Sequence, residues 1–305
     1  MSVDAYHVPV MVAEVLRYLE PERGGLYLDG TVGGGGHSEA ILRAAGAARV
    51  YGVDRDPEAL EVARRRLAGF DERVTLRRGD YADAASRVSE PLAGALLDLG
   101  ISSHQIDASE RGFTFRAGSP LDMRMSRVGA TAADVLNERS ERDLTEIFRR
   151  YGEERRARAL AKAVVRARVS SPFRLSEHLV SVIERVLGPR VTPQDKARIF
   201  QALRIEVNGE LESLERGLEA IREALAPGGV FVVLAYHSLE DRAVKNAFRD
   251  WSKSCICPPE LPVCQCRGVA LGEVLTRRPA YPSEAETDRN TRARSARLRA
   301  WRKAA

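Results

Sequence analysis

Apolar and polar positions alternate in two different rhythms along the chain. In the first hundred residues, short apolar runs at 25–30, 48–54, 74–77 and 93–99 are separated by segments whose apolar residues recur at helical spacing. The fourth run is nearly all apolar, as is typical of a strand buried on both faces. Strands that alternate with helices predict a parallel sheet covered by helices on both sides, which is an α/β fold.

The second rhythm is purely helical. Between about residues 105 and 208 no segment has the pattern of a strand. Helix start signals stand at Thr131, Ser140, Ser176 and Thr192. This stretch therefore predicts an all-helical insert.

Alternation returns after the insert. A helix is predicted over 210–225, then a Pro-Gly-Gly turn at 226–229 and a strand over 230–236. Because this strand completes the sheet, we expect the insert to interrupt one α/β domain. We predict a core in two parts, 1–104 and 210–288, which an inserted helical domain at 105–209 separates. The second core part contains a Cys-rich loop at 255–266, and a basic C-terminal tail follows at 289–305.

Composition narrows the class of protein. The chain is 44% hydrophobic and 30% charged, which is typical of globular proteins. No apolar run approaches the roughly 20 residues that a membrane-spanning helix needs, and the N-terminus has no basic segment followed by an apolar stretch. We therefore expect a cytoplasmic protein without a membrane partner.

Basic residues are concentrated near the C-terminus. The net charge is +5, but the last segment carries no acid among its cations, which are Arg289, Arg292, Arg294, Arg297, Arg299, Arg302 and Lys303. Such a block stays solvated or meets a polyanion such as RNA. It could also pack on the core, so three interpretations stay open.

A glycine run follows the first predicted strand. Gly33 to Gly36 and then His37 stand where that strand turns into its helix, and ligands of open parallel sheets bind at this edge. Glycines let the backbone approach a ligand closely. Asp54 ends the second strand, about 20 residues further on, where a carboxylate accepts hydrogen bonds from ribose hydroxyls. The pattern predicts a nucleoside cofactor; the alternative is a flexible loop with Asp54 as a helix cap.

The identity of the cofactor follows from smaller features. The run departs from G-x-G-x-x-G because Ser38 stands in place of the last glycine, which argues against a nicotinamide-dependent dehydrogenase. Tyr81 after the third strand, where an aromatic can cover adenine, and the Pro-Gly-Gly turn favour S-adenosylmethionine. A nucleic-acid-binding scaffold without a cofactor is the non-enzymatic alternative.

Eight motifs, in order through nearly the whole chain, carry a resemblance. They are DGTVGGGGH (29–37), DLGISSHQID (98–107), RGFTF (111–115), PLDMRM (120–125), YGEE (151–154), FQALR (200–204), HSLEDR (237–242) and NTRARSA (290–296). These residues closely resemble the bacterial small-subunit ribosomal RNA (cytosine-N4)-methyltransferase H family, also called MraW.

The resemblance implies a Rossmann-like class I methyltransferase core with an inserted all-helical domain. It implies S-adenosylmethionine as the methyl donor and, as the acceptor, the exocyclic N4 amine of a cytosine in the decoding region of 16S ribosomal RNA, within the small ribosomal subunit. Another RNA or base as substrate, and a homodimer, stay open. The cofactor contacts that it implies are Gly34, Gly35, Gly36, His37, Asp54, Tyr81, Asp98 and Gln105. Taken alone, Tyr81 would be a half-buried aromatic.

The acceptor chemistry suggests further candidates. A cytosine amine is a poor nucleophile, so a fixed acceptor for one of its hydrogens assists transfer. We hypothesise that Asp98 is this acceptor, assisted by His237 and Ser238; the alternative is that Asp98 only binds the cofactor and that His237-Ser238 caps a helix. Residues 98–101 lack the Asp/Asn-Pro-Pro-aromatic run of many amino-methylating enzymes, so the stacking aromatic is not identified by motif.

The predicted RNA contacts lie in the insert. They are Arg111, Phe113, Phe115, Arg124 and Arg204. The competing explanation is that the arginines are buried and pair with carboxylates of the insert.

The four cysteines form two C-x-C pairs, Cys255 with Cys257 and Cys264 with Cys266. Their number is compatible with a tetrahedral zinc site, but the usual spacing is C-x-x-C, and C-x-C strains a shared tetrahedron. Disulfides are not expected in a reducing cytosol. We therefore expect unliganded thiols in a mobile loop, with zinc as the alternative.

Overall fold

The computed structural model describes residues 9–258, 263 and 265–305. The chain forms two compact units, one made of Met1–Gly100 with Glu212–Ala305 and the other of Ile101–Leu211. The insert is therefore slightly longer at both ends than the predicted 105–209. Among the described residues, no helix is long and apolar enough to cross a membrane.

A seven-stranded sheet organises the first unit. Its strands are β1 (Gly25–Asp29), β2 (Ala48–Asp54), β3 (Val74–Arg78), β4 (Leu92–Asp98), β5 (Leu225–Ala235), β6 (Gly272–Val274) and β7 (Arg297–Lys303). They lie in the order β3-β2-β1-β4-β5-β7-β6. The first five are parallel, and β7 runs antiparallel to β5 and β6. The fold is Rossmann-like α/β, and the antiparallel β7 distinguishes it from the six-stranded parallel order of dinucleotide-binding sheets.

Thirteen helices accompany the sheet in the described part of the chain. They are α1 (Val12–Leu19), α2 (Gly36–Ala44), α3 (Pro57–Leu67), α4 (Tyr81–Ala85), α5 (Ser103–Asp107), α6 (Ala132–Glu138), α7 (Glu141–Arg150), α8 (Ala157–Ser170), α9 (Ser176–Leu187), α10 (Pro193–Asn208), α11 (Glu210–Ala224), α12 (Ser238–Trp251) and α13 (Glu284–Arg289). Short 3-10 turns lie at Pro21–Arg23, Ala68–Arg73, Ser109–Arg111 and Thr291–Ser295.

The period-two pattern of the strands forms two cores in the first unit. Successive residues of a strand point to opposite faces. Tyr27 and Val232 therefore bury against α1 and α2 on one face. Leu28 and Val233 bury against α11 and α12 on the other. Both faces of the central strands are covered, which explains their nearly unbroken apolar sequence.

Strand β5 starts earlier than predicted. The expected turn at 226–229 and strand at 230–236 form one strand, Leu225–Ala235, with a register shift opposite Leu92 and Gly94. Gly228 has a φ of 75°, so the predicted turn residue bends the strand without ending it.

The expected basic tail differs most from the structure. Its second half is β7, hydrogen bonded between β5 and β6. Trp301 is fully buried, with its ring centroid 5.1 Å from that of Trp251. Arg299 pairs with Asp241 through two contacts of 2.6 and 3.2 Å. Packing on the core is therefore the correct interpretation of residues 297–303.

Local signals set the helices of the second unit. Thr131 and Thr192 form capping boxes with Asp134 and Asp195, and Ser140 caps α7. Ser176 differs from the prediction, because it is the first residue of α9 and not its cap. The described residues of this unit hold an isolated bridge, Pro120 with Leu175, and no strand, as the sequence predicts.

Candidate active site

The glycine loop joins β1 to α2. Gly33 and Gly35 have φ angles of 51° and 81°, in the left-handed region that favours glycine. A Cβ on Gly30 would lie 2.5 Å from a Leu97 side-chain atom and 2.7 Å from the Cβ of Tyr81. The loop therefore passes so close to the sheet that side chains at these positions would clash or be strained.

Asp54 fixes this loop. Its Oδ2 accepts a hydrogen bond from the Gly33 N–H, at 2.8 Å, and its Oδ1 accepts one from the Asp56 N–H, at 2.8 Å. Asp56, not Asp54, caps α3 by accepting from the Glu58 N–H at 3.0 Å. The cap interpretation of Asp54 is therefore wrong. Burial raises the pKa of Asp54 to about 6, and each oxygen keeps a lone pair for a ribose hydroxyl.

A second carboxylate, that of Asp29, forms hydrogen bonds with residues at the start of the glycine loop and of α2. Asp29 is almost fully buried, and it accepts hydrogen bonds from the Ser38 hydroxyl at 2.7 Å and the Thr31 N–H at 3.3 Å. Burial raises the pKa of Asp29. The Thr31 hydroxyl in turn accepts from the Asp98 N–H at 2.7 Å. The loop is thus tied to the carboxyl end of β4.

Asp98 lies between two side chains from distant parts of the sequence. Its Oδ1 accepts a hydrogen bond from the Tyr236 hydroxyl at 2.7 Å, and its Oδ2 lies 3.6 Å from His37 Nδ1. His37 Nε2 lies 2.9 Å from the Val10 carbonyl. The Asp98 side chain is 9% exposed. Burial and the Asp98 charge raise the pKa of Tyr236 well above 10, so its hydroxyl remains a donor.

Sequence reasoning did not find Tyr236. A tyrosine at a strand end is usually a packing residue, and its partner Asp98 is 138 residues away. The available signal was positional: Tyr236 directly follows β5, which neighbours β4 in the sheet. Carboxyl ends of adjacent parallel strands meet at one edge.

His237 has a structural role in this arrangement. It is the N-cap of α12 and forms a capping box with Glu240. Its Nε2 lies 3.0 Å from Glu240 Oε1, without the alignment of a hydrogen bond. Ser238 is the first residue of α12. The structure therefore supports the interpretation of His237 as a helix cap.

Tyr81 belongs to the core of the first unit. It is 8% exposed, and a Cβ on Gly217 of α11 would lie 2.3 Å from its ring. The preceding Asp80 caps α4 and binds the Arg55 guanidinium and the Ser213 hydroxyl. Tyr81 therefore packs in the core, as its alternative interpretation expects, and its contact with adenine stays a prediction.

The remaining predicted contacts belong to the second unit. Gln105 lies on α5, where its side-chain oxygen accepts from the Ser102 N–H at 3.0 Å. Phe115 packs edge-on against Phe200, with ring centroids 5.9 Å apart. Phe113 is buried at 9% exposure.

The three predicted RNA-binding arginines are engaged within this unit. Arg111 is 1% exposed and donates to two backbone carbonyls at 3.2 Å. Arg124 binds Asp122 through two hydrogen bonds of 2.9 and 2.7 Å. Arg204 binds Glu210 in the same way, at 2.8 and 2.7 Å. The competing explanation, pairing with insert carboxylates, therefore holds for Arg124 and Arg204, and Arg111 braces the backbone.

Comparisons with known proteins match nearly the whole length of this chain. The model of the MraW methylase family matches residues 4–304. The Gemmatimonas aurantiaca protein named ribosomal RNA small subunit methyltransferase H is 51% identical, over 98% of this chain and 96% of its own. The Geobacter sulfurreducens protein of the same name is 49% identical, over 97% of this chain and 98% of its own.

Among solved structures, an rRNA methylase from Streptococcus thermophilus aligns with a TM-score of 0.44 and 11% identity. The alignment covers 96% of this chain and 94% of that one. The strand order described above, and not this likeness, identifies the fold.

Proposed function

This chain belongs to the MraW methylase family, and from that premise we propose that it methylates small-subunit ribosomal RNA with S-adenosylmethionine as donor. We propose as acceptor the N4 amine of a cytosine in the decoding region of 16S ribosomal RNA. The names of the relatives support the substrate class. The observation that carries the proposal is the glycine loop held by Asp54 beside the Asp98 carboxylate.

The residues around the loop fit such a cofactor. Asp54 offers acceptors to a ribose, and Gly34 to Gly36 provide close backbone approach at the N-terminus of α2. His37 and Asp98 provide polar groups beside them. When bound, S-adenosylmethionine would supply a methyl group on a positively charged sulfur, which a nearby carboxylate favours. For Gln105, a cofactor contact rests on the family resemblance alone.

Asp98 is suited to receive the amine proton. Its Oδ1 already accepts a hydrogen bond from Tyr236 at 2.7 Å, whereas among the described residues its Oδ2 has a single polar contact, the 3.6 Å one with His37. The second oxygen therefore has the capacity to accept an N4–H of cytosine. The carboxylate thus orients the amine, and it would take up the amine proton as the methyl group passes from the sulfur of the donor to N4. Tyr236 acts as a positioning residue, because it fixes the rotation of the carboxylate.

We propose a different set of cations for RNA binding. Arg158, Lys162 and Arg166 stand four residues apart on α8, and all three are exposed. Within the described part of the chain, none of them pairs with an acid at ion-pair distance. Like charges at this spacing destabilise an isolated helix slightly, and a phosphate backbone would neutralise them.

Two measurements test this function. The first compares nucleosides of 16S ribosomal RNA, by mass spectrometry, between the parent strain and a strain lacking the gene. We expect one N4-methylated cytosine in the decoding region to disappear and to return on incubation of the mutant subunits with the purified protein. Loss of a methyl group from another base, or no loss, would overturn the assignment.

The second measurement addresses the α8 cations. For RNA binding we compare the slope of log K against log salt concentration. In the triple variant Arg158→Glu, Lys162→Glu, Arg166→Glu, the magnitude of this slope should fall by about two, because each of the three lost phosphate contacts on a single strand contributes about 0.7. The matched control carries the same charge changes at Arg77, Arg87 and Lys245 of the first unit, which are likewise exposed. An equal effect of both variants would remove α8 from the interface.

A further inference from the structure

Three thiols come together in the loop between α12 and β6. The sulfur atoms of Cys255, Cys257 and Cys266 all lie within 4.8 Å of one another. Cys266 Sγ is 3.8 Å from Cys255 Sγ. Cys264 lies outside the described residues. We call Cys255, Cys257 and Cys266 the thiol cluster.

The distance between sulfurs distinguishes two kinds of cross-link. A disulfide would bring the atoms to about 2.05 Å. Thiolates at about 2.3 Å from one tetrahedral zinc ion stand about 3.8 Å apart, since this is the edge of the tetrahedron. The observed 3.8 Å separation of Cys255 and Cys266 equals that edge. Cys255 and Cys266 thus have the spacing of two ligands of one metal ion, and the Cys257 sulfur lies within 4.8 Å of both.

Backbone amides support the same interpretation. The Ile256 N–H donates to Cys266 Sγ, and the Gln265 N–H donates to Cys257 Sγ, both at 3.3 Å. Each residue is the middle of one C-x-C pair and donates to a sulfur of the other. Hydrogen bonds of this kind stabilise the charge of metal-bound thiolates. The reciprocal arrangement also shows how two C-x-C pairs can face one another.

In the described part of this loop, the large apolar side chains are exposed and form no core. Ile256, Val263 and Val269 are 52%, 69% and 61% exposed. Its base is fixed by Arg267, which donates to the carbonyls of Lys253 and Val269 at 2.9 Å each. Segments without a hydrophobic core are usually held by a disulfide or a metal. The 3.8 Å spacing of Cys255 and Cys266 fits no disulfide, whereas it does fit two thiolates bound to one metal ion.

We propose that Cys255, Cys257 and Cys266 bind a structural Zn²⁺ ion, which orders the loop between α12 and β6. Thiolates select soft divalent metals, and sites rich in cysteine are structural zinc sites in most cases. This inference replaces the expectation of unliganded thiols. It is independent of the proposed methyl transfer, in which zinc has no part.

The test uses the full chain, purified without chelators from zinc-supplemented medium. We expect about one zinc ion per chain by elemental mass spectrometry. Replacement by Co²⁺ should give the thiolate-to-cobalt charge-transfer band and the visible bands of a tetrahedral site. Chelation should expose the thiols to a disulfide reagent. Absence of bound metal, or of a thiolate-to-cobalt band on titration with Co²⁺, would overturn the proposal.

Variants then test the ligand set. Cys255→Ser and Cys266→Ser should each lower bound zinc at least tenfold, whereas Val263→Ser, in the same loop, should keep it. Circular dichroism checks that the remaining fold is intact. Zinc retained in the double cysteine variant would contradict the proposed site. Cys264→Ser should reduce affinity if the remaining cysteine is the fourth ligand; unchanged affinity assigns that position to water, and the three thiolates stand.

Discussion

The affinity for S-adenosylmethionine should depend on pH through Asp54. Burial raises the pKa of Asp54 to about 6, so this carboxyl takes up a proton within a range in which ordinary aspartates stay ionised. Both oxygens already accept from backbone N–H groups, of Gly33 and Asp56. A proton on either oxygen competes with these bonds and with a ribose hydroxyl. Acidification should therefore weaken cofactor binding.

The magnitude follows from the pKa. At about pH 7.5 nearly all Asp54 is ionised, and at about pH 5 only about one molecule in eleven is. If the ionised form alone binds, the apparent Kd rises about tenfold over this range, which is about 1.4 kcal/mol. Asp54→Ala should lose about 1.5–3 kcal/mol of binding at the higher pH, as for a hydrogen bond to a charged group. Its remaining affinity should be flat across the range.

Calorimetric titration with S-adenosylmethionine at several pH values measures both effects. Asp56→Ala is the matched control, because it removes the cap of α3 and about 1 kcal/mol of stability while leaving the Asp54 carboxylate in place. Its cofactor affinity should still fall on acidification, with a midpoint at somewhat lower pH, because the Asp56 charge contributes to the raised pKa of Asp54. If Asp54→Ala kept the native pH dependence, another group would be titrating, and Asp29, whose pKa burial also raises, would be the next candidate.

Three further predictions concern chemistry and packing. Asp98→Asn should lower the rate of single-turnover methylation of small ribosomal subunits about 100-fold at saturating cofactor. Tyr236→Phe should lower the same rate with little change in cofactor Kd. Near-native rates in these variants would show that the two residues take no part in the chemistry. Gly217→Ala should destabilise the fold by about 1–3 kcal/mol in thermal unfolding, since its Cβ would enter an occupied space, whereas Gly46→Ala, with nothing within 4 Å, should not. Deleting the chain from Arg289 onward should yield an insoluble or unfolded protein, because β7 is lost; a stable truncated protein in circular dichroism would refute this.

Where the contacts are local, the sequence predicted the structure well. The strand over 48–54 was predicted with the bounds that the structure has, and the helical spacing after it corresponds to the helix Pro57–Leu67. The capping residues Thr131 and Thr192 were also correct. Such signals act between residues a few positions apart, so the surrounding fold hardly changes them.

Residue chemistry was harder to predict than position. Arginines in the insert looked suited to phosphate, yet Arg204 pairs with Glu210, and charge alone does not distinguish these uses. The sequence likewise showed two C-x-C pairs, and only the folded loop shows that the sulfur atoms of Cys255, Cys257 and Cys266 lie within 4.8 Å of one another.

The sequence by itself determined the order of strands and helices in the first half, the glycine loop with Asp54, and the helical nature of the insert. Tertiary structure alone decided that residues 297–303 form an interior strand of the sheet, between β5 and β6. Four cations, Arg297, Arg299, Arg302 and Lys303, hide the strand in the sequence. The acid that pairs with Arg299 is Asp241, 58 residues away, so the pairing is not visible locally. Tertiary structure likewise decided that the Tyr236 hydroxyl donates a hydrogen bond to Asp98. Both depend on neighbours in the sheet, which no local pattern encodes.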